Sequence, residues 1–480
     1  MIPSLLILIP VIAGLASLFI QNEKAAKGWA LVASLATLCL AVAGACSHRV
    51  TELQADASWL PALGSRFSLS MDGMAKMLVL LNAVALPLAI GATYKNSYEK
   101  SGSFYGLLLL MQAGMMGVFL ASDALLFYFF WELALIPAYF LSSKWGGEKR
   151  IQATFKFFVY TFAGSLLMLV GILYLYFKTP EHSFAIQAFY NLHLSDSEQF
   201  FAFWLFFIAF AIKIPIFPFH TWQPDAYEQS PTVVTMLLSG VMVKMGIYAV
   251  IRWLLPVFPA AVARYDHLVI LLSVIGILYA SLIAIRQDDM KRLIAYSSIA
   301  HLGLMAAALF AKQQVGIQGV MIQMFNHGVN VIGLWIVADA IEKQTGTRKF
   351  SQLGGLAQKA PGLAILFVIM AFANVALPLT NAFIGEFMMF NGLFRHSIWM
   401  AAIACISIIL AAVYTLGMVQ KVFYGNTAPA TDHSVDSSLN IKLMLAILVI
   451  IIIALGVYPQ PMLQLTNDTV NAVLAKIHSI

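Results

Sequence analysis

Apolar residues come in blocks of roughly 18 to 22 along this chain, long enough to cross a ~30 Å hydrocarbon layer as helices. The blocks fall at about 2–20, 27–46, 73–93, 104–121, 123–143, 156–177, 200–219, 231–251, 267–286, 291–310, 316–341, 361–394, 398–424 and 441–458, which predicts fourteen spans. Several are joined by very few residues, as at Ser122–Asp123, so the spans should form one compact bundle. No Gly/Ser linker, low-complexity tract or soluble domain of useful size interrupts the pattern. The first block, Met1 to Ile20, has no basic leader and no small-residue cleavage site; it reads as a retained helix, not a signal peptide.

Two blocks are not clean helices. One runs Ile212-Lys213-Ile214-Pro215-Ile216-Phe217-Pro218 and the other Ala373-Asn374-Val375-Ala376-Leu377-Pro378-Leu379-Thr380-Asn381. Proline removes a backbone donor and breaks a helix. In lipid the freed carbonyls must find partners in protein or in a water-filled cavity. Broken helices at corresponding places in two halves point to an inverted-repeat transporter and its pathway. Two unrelated kinks are the alternative, and direct identity between the halves is too weak to choose.

Composition agrees with a polytopic membrane protein. Of 480 residues, 61% are hydrophobic and 10% charged, against about 25% charged in an ordinary soluble domain. A soluble enzyme, a disordered chain and a disulfide scaffold are thereby excluded. The net charge of +6 is scattered through short loops and forms no basic stripe for nucleic acid. With the N-terminus outside, the inward loops hold seventeen Lys and Arg and the outward ones eight. That bias orients the chain with both termini outside. Cys39 and Cys46 share one span and Cys405 stands apart, so neither a disulfide framework nor a metal cluster is implied.

The most informative residues are charges with no loop to sit in. Glu132 lies near the centre of its span, and Lys244 is thirteen residues after Pro231, roughly 20 Å along its helix. Lys213 precedes the first break, Glu386 follows Pro378 by eight residues, and His301 and His327 fall inside two further spans. Each buried charge costs about 2.5–3.5 kcal/mol on insertion scales. Six such groups on separate helices read as a chain that holds or passes a proton; any one alone reads equally well as a static pair. Proximity of a carboxylate and an ammonium favours both charged forms, and separation in a dry site disfavours them. A break that lets Lys213 approach or leave Glu132 would alternate proton uptake and release. Moving a proton against about 200 mV takes roughly 4.6 kcal/mol, which burial and pairing can supply. Histidine's ordinary titration range suits a relay between lysines, with water filling the gaps.

Other chemistries find little support. There is no Walker A loop, no G-x-G-x-x-G turn, no C-x-x-C-H and no nucleophile elbow. A haem between His301 and His327 has nothing to mark it. His220-Thr221-Trp222-Gln223-Pro224-Asp225 reads as the capped inner end of the broken helix, not as a metal site. Lys76 and Lys421 read as interfacial anchors.

Certain segments resemble a known family. They are Phe130-Trp131-Glu132; Lys213-Ile214-Pro215 through His220-Thr221-Trp222-Gln223-Pro224-Asp225-Ala226; Lys244-Met245-Gly246-Ile247-Tyr248; Lys291-Arg292-Leu293-Ile294-Ala295-Tyr296-Ser297-Ser298-Ile299-Ala300-His301; and Asn326-His327-Gly328. In this order, from about Met71 to Gly425, they resemble the antiporter-like subunits of respiratory complex I. Gly385-Glu386-Phe387 carries the Glu of the M type where L and N subunits and Mrp antiporters generally have Lys. The short stretch after Asn440, with one span and no long lateral helix, also suits the M type.

The resemblance implies an all-α fold of about fourteen transmembrane helices with two inverted five-helix repeats, each containing a broken helix. Helices 1–3 would occupy 1–103, the first repeat 104–251, the second 267–424, and the last helix and tail 425–480. It implies Glu132 and Lys213 as the coupling pair, Lys244 as inner relay, His301 and His327 as connectors and Glu386 as terminal group. The implied function is proton translocation in the membrane arm of an NADH:quinone oxidoreductase, in a bacterial inner membrane beside L- and N-like subunits. NADH, FMN, Fe–S clusters and quinone would belong to partner subunits, with no cofactor or metal in this chain. Two departures from the family pattern, Tyr227 for a His and Ser230 for an Ala, fall near the inner entrance. The alternatives are an Mrp-type sodium/proton antiporter subunit, against which Glu386 argues, the membrane subunit of a related hydrogenase complex, and a static scaffold.

Overall fold

The computed structural model describes residues 1–477. The chain folds as a bundle of helices: α1 (Ile2–Ser17), α2 (Glu23–Cys46), α3 (Gly73–Ala92), α4 (Ser101–Leu120), α5 (Ala124–Trp145), α6 (Arg150–Lys178), α7 (Asp196–Lys213), α8 (Trp222–Gln229), α9 (Thr232–Leu254), α10 (Pro259–Arg286), α11 (Met290–Phe310), α12 (Gln314–Thr345), α13 (Pro361–Asn374), α14 (Asn381–His396), α15 (Ile398–Phe423), α16 (Leu439–Val457) and α17 (Gln460–Ile477). Among the described residues eleven helices are long and apolar enough to cross a membrane, and α1 and α13 are shorter apolar helices. This is a multi-pass membrane protein.

The short polar loops start helices. Asp72 accepts from the Ala75 N–H, Asp123 from those of Leu125 and Leu126, and Asp289 from that of Arg292. Each cap satisfies an N–H that the helix itself leaves unpaired. Burial separates two classes of helix. α9 and α12 are enclosed on every side, whereas α2, α6, α15 and α16 show much of their apolar surface outward. A helix that is apolar all round and enclosed belongs to the bundle centre.

Both expected breaks are present. α7 ends at Lys213, so the predicted span 200–219 is helical only in its first part; the Ile212 carbonyl freed there accepts from the Trp222 indole at 3.0 Å. The block 361–394 divides into α13 and α14, with left-handed backbone at Ala376 and Leu379 between them. Around this break Asn330 donates to the Ala373 carbonyl at 3.3 Å and Asn326 to that of Asn381 at 2.8 Å. Protein amides thus take the carbonyls that lipid cannot.

Two elements were not expected from the hydrophobic pattern. Between α2 and α3 the chain forms an antiparallel hairpin, β1 (Gln54–Leu60) and β2 (Ser65–Ser70). After α16 the tail is helical: α17 lies so close to α3 that a Cβ at Gly73 would sit 1.8 Å from the Leu465 carbonyl oxygen. Asn471 on α17 accepts from Gln314 at the start of α12 at 3.0 Å. Ion pairs tie helix ends to neighbouring loops and helices: Arg252–Asp72 (2.5 Å) and Lys312–Asp266 (2.7 Å) at one rim, Arg292–Glu228 (2.8 Å) and Arg348–Glu228 (2.5 Å) at the other.

Candidate functional site

The bundle's central helices meet backbone to backbone. A Cβ at Gly328 would lie 2.7 Å from the Gly240 carbonyl oxygen, so α12 and α9 touch with no side chain between them. Lys244 stands one turn beyond Gly240, just after a π-helical turn over Leu238–Met242. Such turns widen a helix and recur at functional sites. The close approach sets Lys244 Nζ 2.8 Å from His327 Nδ1, while the same amine donates to the Ser239 carbonyl at 2.6 Å.

From His327 the line continues. Its ring lies 5.5 Å, centroid to centroid, from that of His301 on α11. His301 Nδ1 is 2.9 Å from Glu386 Oε1 on α14. Glu386 is positioned by a second glycine contact: a Cβ at Gly385 would lie 2.4 Å from Gln323 Oε1, and one at Gly319 2.9 Å from the Gly385 carbonyl. His301 and Glu386 share a cavity with about 10 Å³ for water centres, room for about one water. Four of the six predicted residues therefore form one file across α9, α12, α11 and α14.

The other two stand apart. Lys213 is 1% exposed and its ammonium has no hydrogen-bond partner among the described residues. It lies over the Trp131 ring at 5.2 Å, a cation–π contact. Glu132 Oε1 is buried with no hydrogen-bond partner among the described residues, Ser165 bonds to its carboxyl, and Glu132 and Lys213 interact through space without a hydrogen bond between them. Lys213 nevertheless adjoins the file. A Cβ at Gly246, two residues after Lys244, would lie 3.2 Å from the Lys213 Cβ and 3.1 Å from Ile214 N.

Further polar groups were not singled out as site residues from the sequence. Ser297, Asn374, Tyr414 and Thr415 are buried and joined by hydrogen bonds. Trp335 and His220 each hold a buried polar atom with no partner among the described residues, and Gln223 and Tyr227 are buried beside each other. For Ser297, Asn374, Tyr414, Thr415 and Trp335 the only signal in sequence is a polar atom inside an apolar span, whereas His220, Gln223 and Tyr227 lie in the polar stretch after the first break. The Tyr227 ring, next to those of Trp222 and Trp335, fills the position where the family pattern has a His. Ser230, the other departure, donates to Ser142 at 2.8 Å.

Beyond them lies an open cavity of about 270 Å³ lined by Lys156, Asp225, Glu228 and Arg292. Lys156 donates to Asp225 and to the Thr221 carbonyl, both at 2.8 Å, so the 220–225 stretch is tied down by an ion pair. Among the described residues no group of three or more His, Cys, Asp or Glu could hold a metal. Lys76 donates to the Ser47 carbonyl at 2.6 Å, in the first turn of α3, and Lys421 sits over the Phe350 ring. Both are anchored at the rims, away from the file.

Residues 121–411 match the family model described as NADH:quinone oxidoreductase/Mrp antiporter, transmembrane. The chain belongs to this family. The matched segment contains both breaks and all six relay candidates singled out from the sequence. Within the family, the chain is 38% identical over 426 residues to NADH-quinone oxidoreductase subunit M of Rickettsia typhi, covering 87% of this chain and 85% of the relative. It is 36% identical over 426 residues to the Escherichia coli protein of the same name, covering 86% and 84%. With F(420)H(2) dehydrogenase subunit M of Methanosarcina mazei it shares 34% over 488 residues, covering 99% and 98%. Among solved structures, respiratory complex I from Thermus thermophilus matches with a TM-score of 0.91 and 29% identity, over 98% of this chain and all of that one. A chain of the Mrp complex from Dietzia sp. shares the fold, with a TM-score of 0.84 and 22% identity over 99% of this chain and 52% of that one.

Proposed function

We propose that this chain is the M-type membrane-arm subunit of a proton-pumping NADH:quinone oxidoreductase. The observation that carries the reading is the file from Lys244 through His327 and His301 to Glu386, with gaps of 2.8 Å and 2.9 Å at its ends. A buried ammonium, two imidazoles and a carboxylate at that spacing can hand a proton along, with water bridging the two rings. Lys213 and Glu132, which make no hydrogen bond to each other, suit a pair that meets and separates during turnover. When they separate, each charge loses its partner in a dry site, and a proton moves to relieve it.

In this reading the chain has about fourteen transmembrane helices. The inverted repeats are residues 104–251 and 267–424, with helices 1–3 over 1–103 and the last helix and tail over 425–480. It sits in a bacterial inner membrane with both termini outside, next to L- and N-like subunits. Electron transfer from NADH through FMN and Fe–S clusters to quinone takes place in partner subunits, and this chain holds no cofactor. The names of its bacterial relatives support this assignment, as does Glu386 in place of Lys. The Methanosarcina relative, an F(420)H(2) dehydrogenase subunit, favours a second reading of the electron donor, F(420)H(2) in place of NADH, with the same proton chemistry in this chain.

The test is Glu132→Gln in inverted membrane vesicles, with assembly checked on native gels. NADH oxidation and the NADH-driven pH gradient are recorded together. Assembled complex in which both signals collapse supports the reading. If both survive while cells become salt- or alkali-sensitive, the chain is an Mrp-type antiporter subunit.

A further inference from the structure

Tyr414, buried on α15, is the wall between two cavities. On one side it lines the small cavity that holds His301 and Glu386, together with Ser281 and Ser407. The Ser281 hydroxyl has no partner among the described residues, which suits a site that takes up water. On the other side Tyr414 closes an open cavity of about 490 Å³ whose outer wall is the exposed apolar Ile409, Val413 and Leu416 and whose rim end carries Gln287, Gln420 and Lys421. That second cavity opens toward the rim where α10 ends at Arg286, α11 begins at Met290 and α15 ends at Phe423. The one polar atom the Tyr414 side chain offers is its hydroxyl, which lies 3.1 Å from Ser297 Oγ. Ser297 accepts from Asn374 at 3.3 Å, and Asn374 also donates to Thr415 at 3.0 Å. Asn374 is the last residue of α13, so the hydroxyl pair is fastened to the second helix break.

We propose that the Ser297–Tyr414 hydroxyl pair is a second proton route into the relay. It joins Glu386 directly to the cavity at the Gln287–Lys421 rim and bypasses Lys213, Lys244 and both histidines. The inference rests on the relay reading above and adds a branch to it. In one hop the Tyr414 O–H bond breaks toward the Glu386 carboxylate, directly or through the cavity water, and a new Tyr414 O–H bond forms with a proton from a hydronium ion of the larger cavity, which leaves as water. Ser297 holds the Tyr414 hydroxyl in place at 3.1 Å, and neither hydroxyl keeps a charge. Movement of Asn374 with the break would turn the pair toward or away from Glu386, making the branch conditional on the break's state.

Gly417 makes the route testable, because it lines the larger cavity and a Cβ there meets nothing within 4 Å. Gly417→Leu fills that space without moving a helix, and Tyr414→Phe removes the hydroxyl while keeping the ring. In inverted vesicles carrying assembled complex, each should lower the initial rate of NADH-driven proton uptake at least threefold, and the double variant no further. Gly28→Leu, also in open space, should match the unaltered chain. If both variants pump at the unaltered rate while Glu386→Gln is defective, the branch does not exist and the relay reading stands. If Glu386→Gln also pumps normally, the relay reading itself fails.

A second measurement does not depend on activity. In a chain whose Cys39, Cys46 and Cys405 are replaced by Ser, Gly417→Cys should react with a charged, membrane-impermeant thiosulfonate applied from the Lys421 side. Reaction only with a hydrophobic maleimide would mean that lipid fills the cavity, and would overturn the proposal even if Tyr414→Phe failed to assemble.

Discussion

Replacing Gly328 with alanine should separate Lys244 from His327 without touching either. A Cβ at 328 would lie 2.7 Å from the Gly240 carbonyl oxygen and 2.7 Å from Leu81 Cδ1, where ordinary contact begins at 3.4 Å. The Leu81 methyl can rotate away. The Gly240 carbonyl is backbone of an enclosed helix and cannot, so α9 and α12 must part by about 0.7 Å in a close-packed interior with no slack. If that movement falls along the Lys244–His327 contact, its 2.8 Å lengthens to about 3.5 Å, where a hydrogen bond ceases. Overpacking of this kind costs about 1–3 kcal/mol. The expected result is assembled complex with a lowered melting temperature in detergent and proton uptake in inverted vesicles reduced several-fold. Gly28→Ala, where nothing lies within 4 Å, should melt as before or slightly higher. Gly328→Ala with unchanged melting and unchanged pumping would refute the argument that this glycine contact sets the file.

Two further outcomes follow from contacts away from the file. Asp436, in the loop before α16, accepts from the Gly362, Leu363 and Ser437 N–H groups and from Lys442. Burial works to raise its carboxyl, but the Lys442 ammonium and these backbone donors outweigh it and hold the group below its ordinary 3.8. Its contribution is therefore complete above that value and lost as pH falls through the lower, folded one. Asp436→Asn should lower the melting temperature near neutral pH by removing the charge paired with Lys442 and flatten its decline below about pH 4; an unchanged acid profile would count against a role for this carboxylate. Gly73→Ala would drive a Cβ to 1.8 Å from the Leu465 carbonyl, so α17 should lift from α3. Limited proteolysis should then cleave the 460–477 segment faster, and equal cleavage would show that α17 is held elsewhere.

Much of this molecule was legible in the chain. The long apolar blocks determined a bundle of spanning helices, because in lipid every backbone polar group must be satisfied within its own segment. The prolines at 215, 218 and 378 located both breaks, and charges without a loop singled out Lys213, Lys244, Glu132, Glu386, His301 and His327. Hydropathy could not register the hairpin at 54–70 or the helix at 460–477, since both lie in mixed sequence whose structure depends on docking against the bundle. Nor could it show which of the six groups meet. Lys244 and His327 are 83 residues apart and touch because Gly240 and Gly328 let two backbones approach. Lys213 and Glu132 make no such bond, because the break at Lys213 turns its ammonium over the Trp131 ring. The wall at Tyr414 exists only where α11, α13 and α15 converge. Span, break and buried charge follow from chemistry local to each segment, whereas contact distance is a property of how separate helices pack, and that only the tertiary structure decided.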